Sequence, residues 1–119
     1  AAPRPPNMLL VTGPRSASGL CNMTVSSERH VDWVRDCIAF MDARPLDSME
    51  ADRTAEDEWV RHVNEVAYKT LYPSANSWYM GANIPGKPRV FMPYIGGLPA
   101  FIESCEAEVA QDYEGFALN

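Results

Sequence analysis

Apolar positions in this chain fall into two kinds of pattern. Met8-Leu9-Leu10-Val11-Thr12 is a short unbroken apolar run stopped by Gly13-Pro14, which predicts a strand buried on both faces. Only weaker strand candidates accompany it, at Arg89 to Tyr94 and Tyr113 to Leu118. Elsewhere the spacing is helical. Val31, Val34, Ile38 and Met41 recur every three or four residues, with His30, Trp33, Cys37 and Phe40 widening the stripe. This predicts a helix from about Ser27 to Ala43, capped by a hydroxyl among Thr24 to Ser27 and ended by Pro45.

A second helix is expected from Asp47 or Ser48, with Glu50 placed as in a capping box, to about Tyr72 before Pro73. Its inward stripe reads Ala55, Trp59, Val63, Val66, Ala67 and Leu71. Pro99 then suits the first turn of a last helix reaching about Gln111, with Phe101, Ile102, Cys105 and Val109 inward. Between these helices, PSANSWYMGANIPGKPRVFMPYIGG mixes glycine and proline with Trp78, Tyr79, Phe91 and Tyr94. A loop of that length inside a small domain is usually functional or mobile. The opening AAPRPPN carries three prolines and no periodicity, so it reads as an extended arm. The expected fold is therefore mainly α: about three helices, one buried strand and a long aromatic loop.

Composition narrows the partners. The 119 residues hold 10 Lys+Arg against 16 Asp+Glu, a net charge of −6, with no basic cluster to release counterions from nucleic acid. No run is long enough to span a membrane or serve as a signal-peptide core. Cys21, Cys37 and Cys105 are odd in number and form no C-x-x-C pair, which favours reduced thiols and a cytoplasmic location.

Candidate chemistry is sparse. His30 and His62 lie outside any metal-ligand frame, so no metal site is expected, and no carboxylate pair stands out for acid–base catalysis. Cys105 with His62 would make a thiol and base, but the place of Cys105 on an apolar stripe assigns it to packing. Gly81 to Lys87 spells G-x-x-x-x-G-K, yet Pro88 stands where a phosphate loop needs Ser or Thr opening a helix. Two stretches remain. The small-residue turn Gly13 to Leu20 leads into a helix start, where backbone N–H groups can face a flat or anionic ligand. Trp78 precedes a glycine-hinged segment, where its indole can cover and donate to a ligand.

In order, P-N-M-L-L-V-T-G-P, S-x-x-x-N-M, H-V-D-W-V, D-E-W-V, T-L-Y-P, S-W-Y-M-G-A-N-I-P-G-K-P-R-V-F-M-P-Y-I-G-G and Y-E-G-F run from Pro6 almost to the end. This series resembles the C-terminal portion of type I Baeyer–Villiger monooxygenases, the branch that includes phenylacetone and cyclohexanone monooxygenases. The resemblance implies part of an α/β flavoprotein with two dinucleotide-binding domains, using FAD and NADPH to turn a ketone and O2 into an ester or lactone. Residues 1–119 would be the C-terminal segment of its FAD-binding domain.

By the same resemblance, Ser18, Gly19, Leu20 and Met23 would line the substrate pocket, and Asn22 and Met23 would lie against FAD. Trp78 would hydrogen-bond the nicotinamide ribose of NADP within a mobile control loop at about 76–94. No catalytic residue is carried over, because the family's glycine-rich FAD and NADP loops, its fingerprint and its active-site arginine have no counterpart here. The chain alone is expected to be inactive and, through exposed apolar faces, to self-associate. The other reading is a stand-alone helical interaction module without catalysis.

Overall fold

A computed structural model describes residues 6–18 and 20–119. Its elements are helix α1 (Met23–Asp42), strand β1 (Met49–Ala51), helix α2 (Arg53–Ala67), helix α3 (Leu98–Ala110) and strand β2 (Phe116–Leu118). Three helices and a small antiparallel ribbon thus replace the expected three helices and one buried strand.

α1 begins four residues earlier than expected, because its cap is Asn22. The Asn22 side-chain carbonyl accepts from the amides of Thr24 (3.0 Å) and Val25 (3.3 Å), two of the donors a helix start leaves open. The hydroxyl of Ser27, a candidate cap in sequence, instead donates back to the Met23 carbonyl at 2.9 Å. The face that α1 buries is also not the aliphatic one. Val31 and Ile38 are 56% and 52% exposed, whereas Cys37 is buried with Trp33, Phe40 and Met41 around it. Aromatic area decides this: Trp33 and Phe40 meet Tyr113 edge-on at 5.3 and 4.9 Å, and Trp33 meets Phe116 at 5.8 Å.

The expected second helix divides. Residues 49–51 pair antiparallel with 116–118, in the register Met49 with Leu118, Glu50 with Ala117 and Ala51 with Phe116. Glu50 therefore lies exposed on a strand rather than closing a capping box. Asp52 caps α2 instead, its carboxylate accepting from the amides of Thr54 (2.9 Å) and Ala55 (3.1 Å). The ribbon continues through Asp47 and Ser48, whose amides donate to Asn119, and on its other edge Asn7 takes both backbone groups of Met49. Asn7 is thus tied down, and residues 1–5 of the expected arm lie outside the described residues. α2 stops at Ala67, four residues before Leu71, which is 86% exposed rather than inward. Its last turn tightens through Lys69 and Thr70 amides bonded to Val66 and Ala67 carbonyls.

Met8 to Thr12 corrects the sequence reading most. Met8 to Leu10 carry no regular structure and Val11 and Thr12 lie in a turn, so the run forms no strand among the described residues, and Met8 and Leu10 are 57% and 59% exposed. A strand needs a neighbouring strand to take its amides and carbonyls, and the described residues place none beside this run. Arg89 to Tyr94 also fails to become a strand, making only a single parallel bridge from Tyr94 to Ala17. Tyr113 to Leu118 does become one over its last three residues.

The interior is three small clusters, centred on Ala17, Val63 and Tyr94, on Cys37, Met49 and Tyr113, and on Ala67, Met80 and Phe91. The shape is a slab of 47 × 29 × 20 Å. Its radius of gyration, 15.3 Å, exceeds the roughly 13.5 Å that a compact domain of this length would have.

Candidate functional site

The turn after the apolar run is built from backbone bonds. Gly13 allows its close approach, since a Cβ there would lie 2.7 Å from Leu10 Cβ. The Gly13 carbonyl accepts from the amide and hydroxyl of Ser16, at 3.2 and 2.6 Å. Ala17 follows, buried between α2 and Tyr94, and Ser18 emerges half-buried. Beyond it Leu20 is 70% exposed, Met23 and Val25 are about 40% exposed, and Asn22 points outward at the tip of α1. Gly19 lies outside the described residues. Three apolar side chains and one amide thus stand open around a helix start.

The aromatic segment is more ordered than a loop. Ser77 caps a short helical turn over Trp78–Met80, accepting from the Tyr79 amide at 3.2 Å, and Gly81 closes it at φ 69°, a backbone setting that favours glycine. Met80 and Phe91 are buried against Ala67, with Tyr72, Tyr79 and Ile95 packed around them. The two limbs of the segment are joined by the amides of Val90 and Met92, which donate to the carbonyls of Met80 (3.2 Å) and Tyr79 (3.0 Å). Trp78 stays outside, 66% exposed, its ring 4.1 Å from that of Tyr79. Gly81 to Lys87 folds as consecutive turns and is followed by extended chain, so no helix start receives a phosphate there.

The two stretches meet at residues 92–94. The Met92 carbonyl accepts from the Arg15 amide at 2.7 Å while its own amide reaches Tyr79. Tyr94 donates to the Ser16 carbonyl at 2.9 Å and accepts from the Ser18 amide at 3.4 Å. The Tyr94 ring is buried among Trp59, His62 and Phe101, at 5.3, 5.9 and 6.0 Å. Two backbone hydrogen bonds through Met92 therefore connect the Ser18 turn to the turn that carries Trp78. Nothing in the sequence marks Met92 for this role, since its contribution is made entirely by backbone atoms.

A second anchor lies on α1. His30 Nδ1 accepts from the Thr12 amide at 2.9 Å, and its ring meets Phe101 edge-on at 5.3 Å. Burial holds its pKa below the usual histidine value, in keeping with a neutral acceptor. In sequence His30 reads only as part of an apolar stripe.

Cys105 and His62 line one groove of about 770 Å³, between α2, α3 and the ribbon. Burial, aided by Glu106 and Glu108, pushes the Cys105 thiol up to about 11, the wrong direction for a nucleophile. Neither this groove nor a smaller one of about 320 Å³ between α1 and α3 includes Ser18, Leu20, Asn22, Met23 or Trp78. Among the described residues, no group of three or more His, Cys, Asp and Glu could hold a metal ion. No helix among them is long and apolar enough to cross a membrane.

No protein-family model matches the chain. Individual proteins do. Acetone monooxygenase (methyl acetate-forming) of Gordonia sp. strain TY-5 is 37% identical over 115 residues, 96% of this chain and 22% of that protein. Cyclohexanone monooxygenase from Rhodococcus sp. Phi1, solved bound to NADP+, superposes with a TM-score of 0.88 at 33% identity, covering 96% of this chain and 21% of that one. The complex of OTEMO with FAD and NADP does so with a TM-score of 0.85 at 27% identity, covering 96% and 20%. The similarity expected from the motifs, to monooxygenases of the Baeyer–Villiger kind, thus extends along nearly the whole chain. The chain spans about a fifth of the length of the relatives it matches.

Proposed function

We propose that this chain is the C-terminal segment of an FAD- and NADPH-dependent Baeyer–Villiger monooxygenase, and that residues 1–119 belong to its FAD-binding domain. The observation that carries this reading is the similarity to such enzymes along 96% of the chain, in sequence and in fold. The complete enzyme would convert a ketone, O2, NADPH and a proton into an ester or lactone, water and NADP+, in the cytoplasm. FAD, when bound, supplies the activation of O2.

The residues present fit a place beside these cofactors. Leu20 and Met23 offer open apolar side chains to a flat ring and to substrate, with the half-buried Ser18 before them; Gly19, the remaining pocket residue that the resemblance implies, lies outside the described residues. The Asn22 carbonyl is already used in capping α1, so toward FAD it presents its amide N–H groups. Trp78 has no partner for its indole N–H among the described residues and stands exposed, available to the ribose of NADP. Residues 76–94 form the control loop in this reading, with the Met80–Phe91 base fixed and the tip free to move. The Met8 to Leu10 stretch is covered by the rest of the enzyme in this reading, in keeping with its exposure here.

Three experiments test this. The reading frame upstream should encode two G-x-G-x-x-G modules, and a frame without them would refute the assignment. In the complete enzyme, Trp78→Ala should weaken NADPH binding by about three- to tenfold, the scale of one hydrogen bond, and raise NADPH oxidation not coupled to product. The purified 119-residue chain with FAD, NADPH and a ketone should show no ketone-dependent NADPH loss.

A further inference from the structure

The turn from Thr12 to Ser18 is held from one side by the backbone of Met92 and Tyr94 and from the other by a single side chain, His30. Thr12 sits at φ 52°, a setting that a β-branched residue rarely adopts and that the surroundings must maintain. The bond that maintains it crosses 18 residues of sequence, from the Thr12 amide to Nδ1 of His30 on α1. Phe101 of α3 packs against the same ring, fixing its plane. Only an imidazole with Nδ1 unprotonated and the proton on Nε2 can accept there.

We propose that His30 is a positioning residue: as the neutral Nε2–H tautomer it latches the Thr12 turn to α1 and α3, and its protonation releases the turn and the Ser18 to Met23 segment that follows. Around the ring, α1 contributes Arg29, Asp32 and Asp36 to the groove the imidazole lines, and α3 contributes Cys105 and Glu106. Asp32 and Asp36 are both engaged by Arg35, at 3.1 and 2.8 Å. No charged residue of the Thr12 turn lines that groove. The sign follows from the latch. A histidine that binds its proton less readily when folded contributes stability above its unfolded pKa, near 6.5, and loses it as the pH falls through the lower folded value. The consequence for a flavin pocket rests on the function proposed above, whereas the latch itself is measurable without cofactor, so either can fail alone.

The test is nuclear magnetic resonance on the 15N-labelled 119-residue chain. At pH 7.5, long-range ring correlations should show His30 as the Nε2–H tautomer, with the Thr12 amide protected from exchange. As the pH is lowered, Thr12 protection should be lost along the titration curve of His30 while α2 amides stay closed. His30→Phe keeps the ring against Phe101 but removes the acceptor, and should speed Thr12 exchange about tenfold. His30→Asn returns an oxygen acceptor near the Nδ1 position and should recover part of the protection. A proton on Nδ1, an unprotected Thr12 amide at pH 7.5, or full protection in His30→Phe would each overturn the latch. If His30→Phe unfolds, the unaltered chain decides: Thr12 opening only together with α2 would refute the proposal.

Discussion

Two regions of this molecule treat apolar residues in opposite ways. In the corner formed by α1, the β1–β2 ribbon and Tyr113, the aromatic rings face inward: Tyr113 is 1% exposed, with Trp33, Phe40 and Phe116 around it and Cys37 and Met49 beneath. From Met8 through Val25, apart from the buried Ala17, the larger apolar side chains face outward, with Met8, Leu10 and Leu20 all more than half exposed. The corner closes on residues of its own chain. The N-terminal stretch leaves Met8, Leu10 and Leu20 uncovered by the described residues. The slab-like dimensions express the same asymmetry, because a domain that covered both regions would be rounder.

The comparison is broken most directly by truncation in each region. Tyr113→Ala should destabilise the chain by about 3–5 kcal/mol, as other large aromatic deletions from cores do, while Leu10→Ala should change it by less than about 0.5 kcal/mol. Equal losses in denaturant melts would show that the N-terminal stretch is packed after all. The same exposure predicts concentration-dependent association of the isolated chain, read by light scattering, and a monomer at high concentration would contradict it.

Smaller effects sharpen the boundary between the regions. Asn22→Ala removes the cap of α1 and should cost about 1 kcal/mol, with Asn22→Asp retaining most of the stability. The Cys105 thiol, pushed up to about 11 by burial and by Glu106 and Glu108, should be only about one part in a thousand thiolate at pH 8. Peptide mapping after brief alkylation should find it largely unmodified, and rapid labelling would mean that α3 opens. The smallest change is expected from Arg61→Ala, which removes an exposed pair with Glu65 at 2.9 Å and should cost under about 0.5 kcal/mol in melts at low salt.

Physical differences explain which elements were legible in sequence. α3 was read to within a residue, because Pro99 and a clean apolar stripe both specify it locally. Sequence spacing marks α1 as a helix but not its buried face: aliphatic and aromatic stripes both have helical spacing, and only the position of Tyr113, 71 or more residues away from α1 in sequence, selects between them. The end of α2 was overrun because Leu71 continues the period, whereas the chain tightens at Thr70 to place Met80 and Phe91 on Ala67. Of the candidate site, Leu20, Met23 and Trp78 could be singled out from motifs, and they stand exposed. Asn22, expected beside a cofactor, caps α1, a position that its residue type favours.

The sequence by itself determined the three helices and the similarity to a class of monooxygenases, since these depend on local spacing or on ordered motifs. Tertiary structure alone decided that Met49 to Ala51 would be a strand, because a three-residue segment takes its conformation from the partner that accepts its backbone bonds. It also decided that Met92 and His30 would hold the turn before α1. Both do so across long sequence separations, through a backbone and a ring nitrogen, which no pattern of side-chain types records.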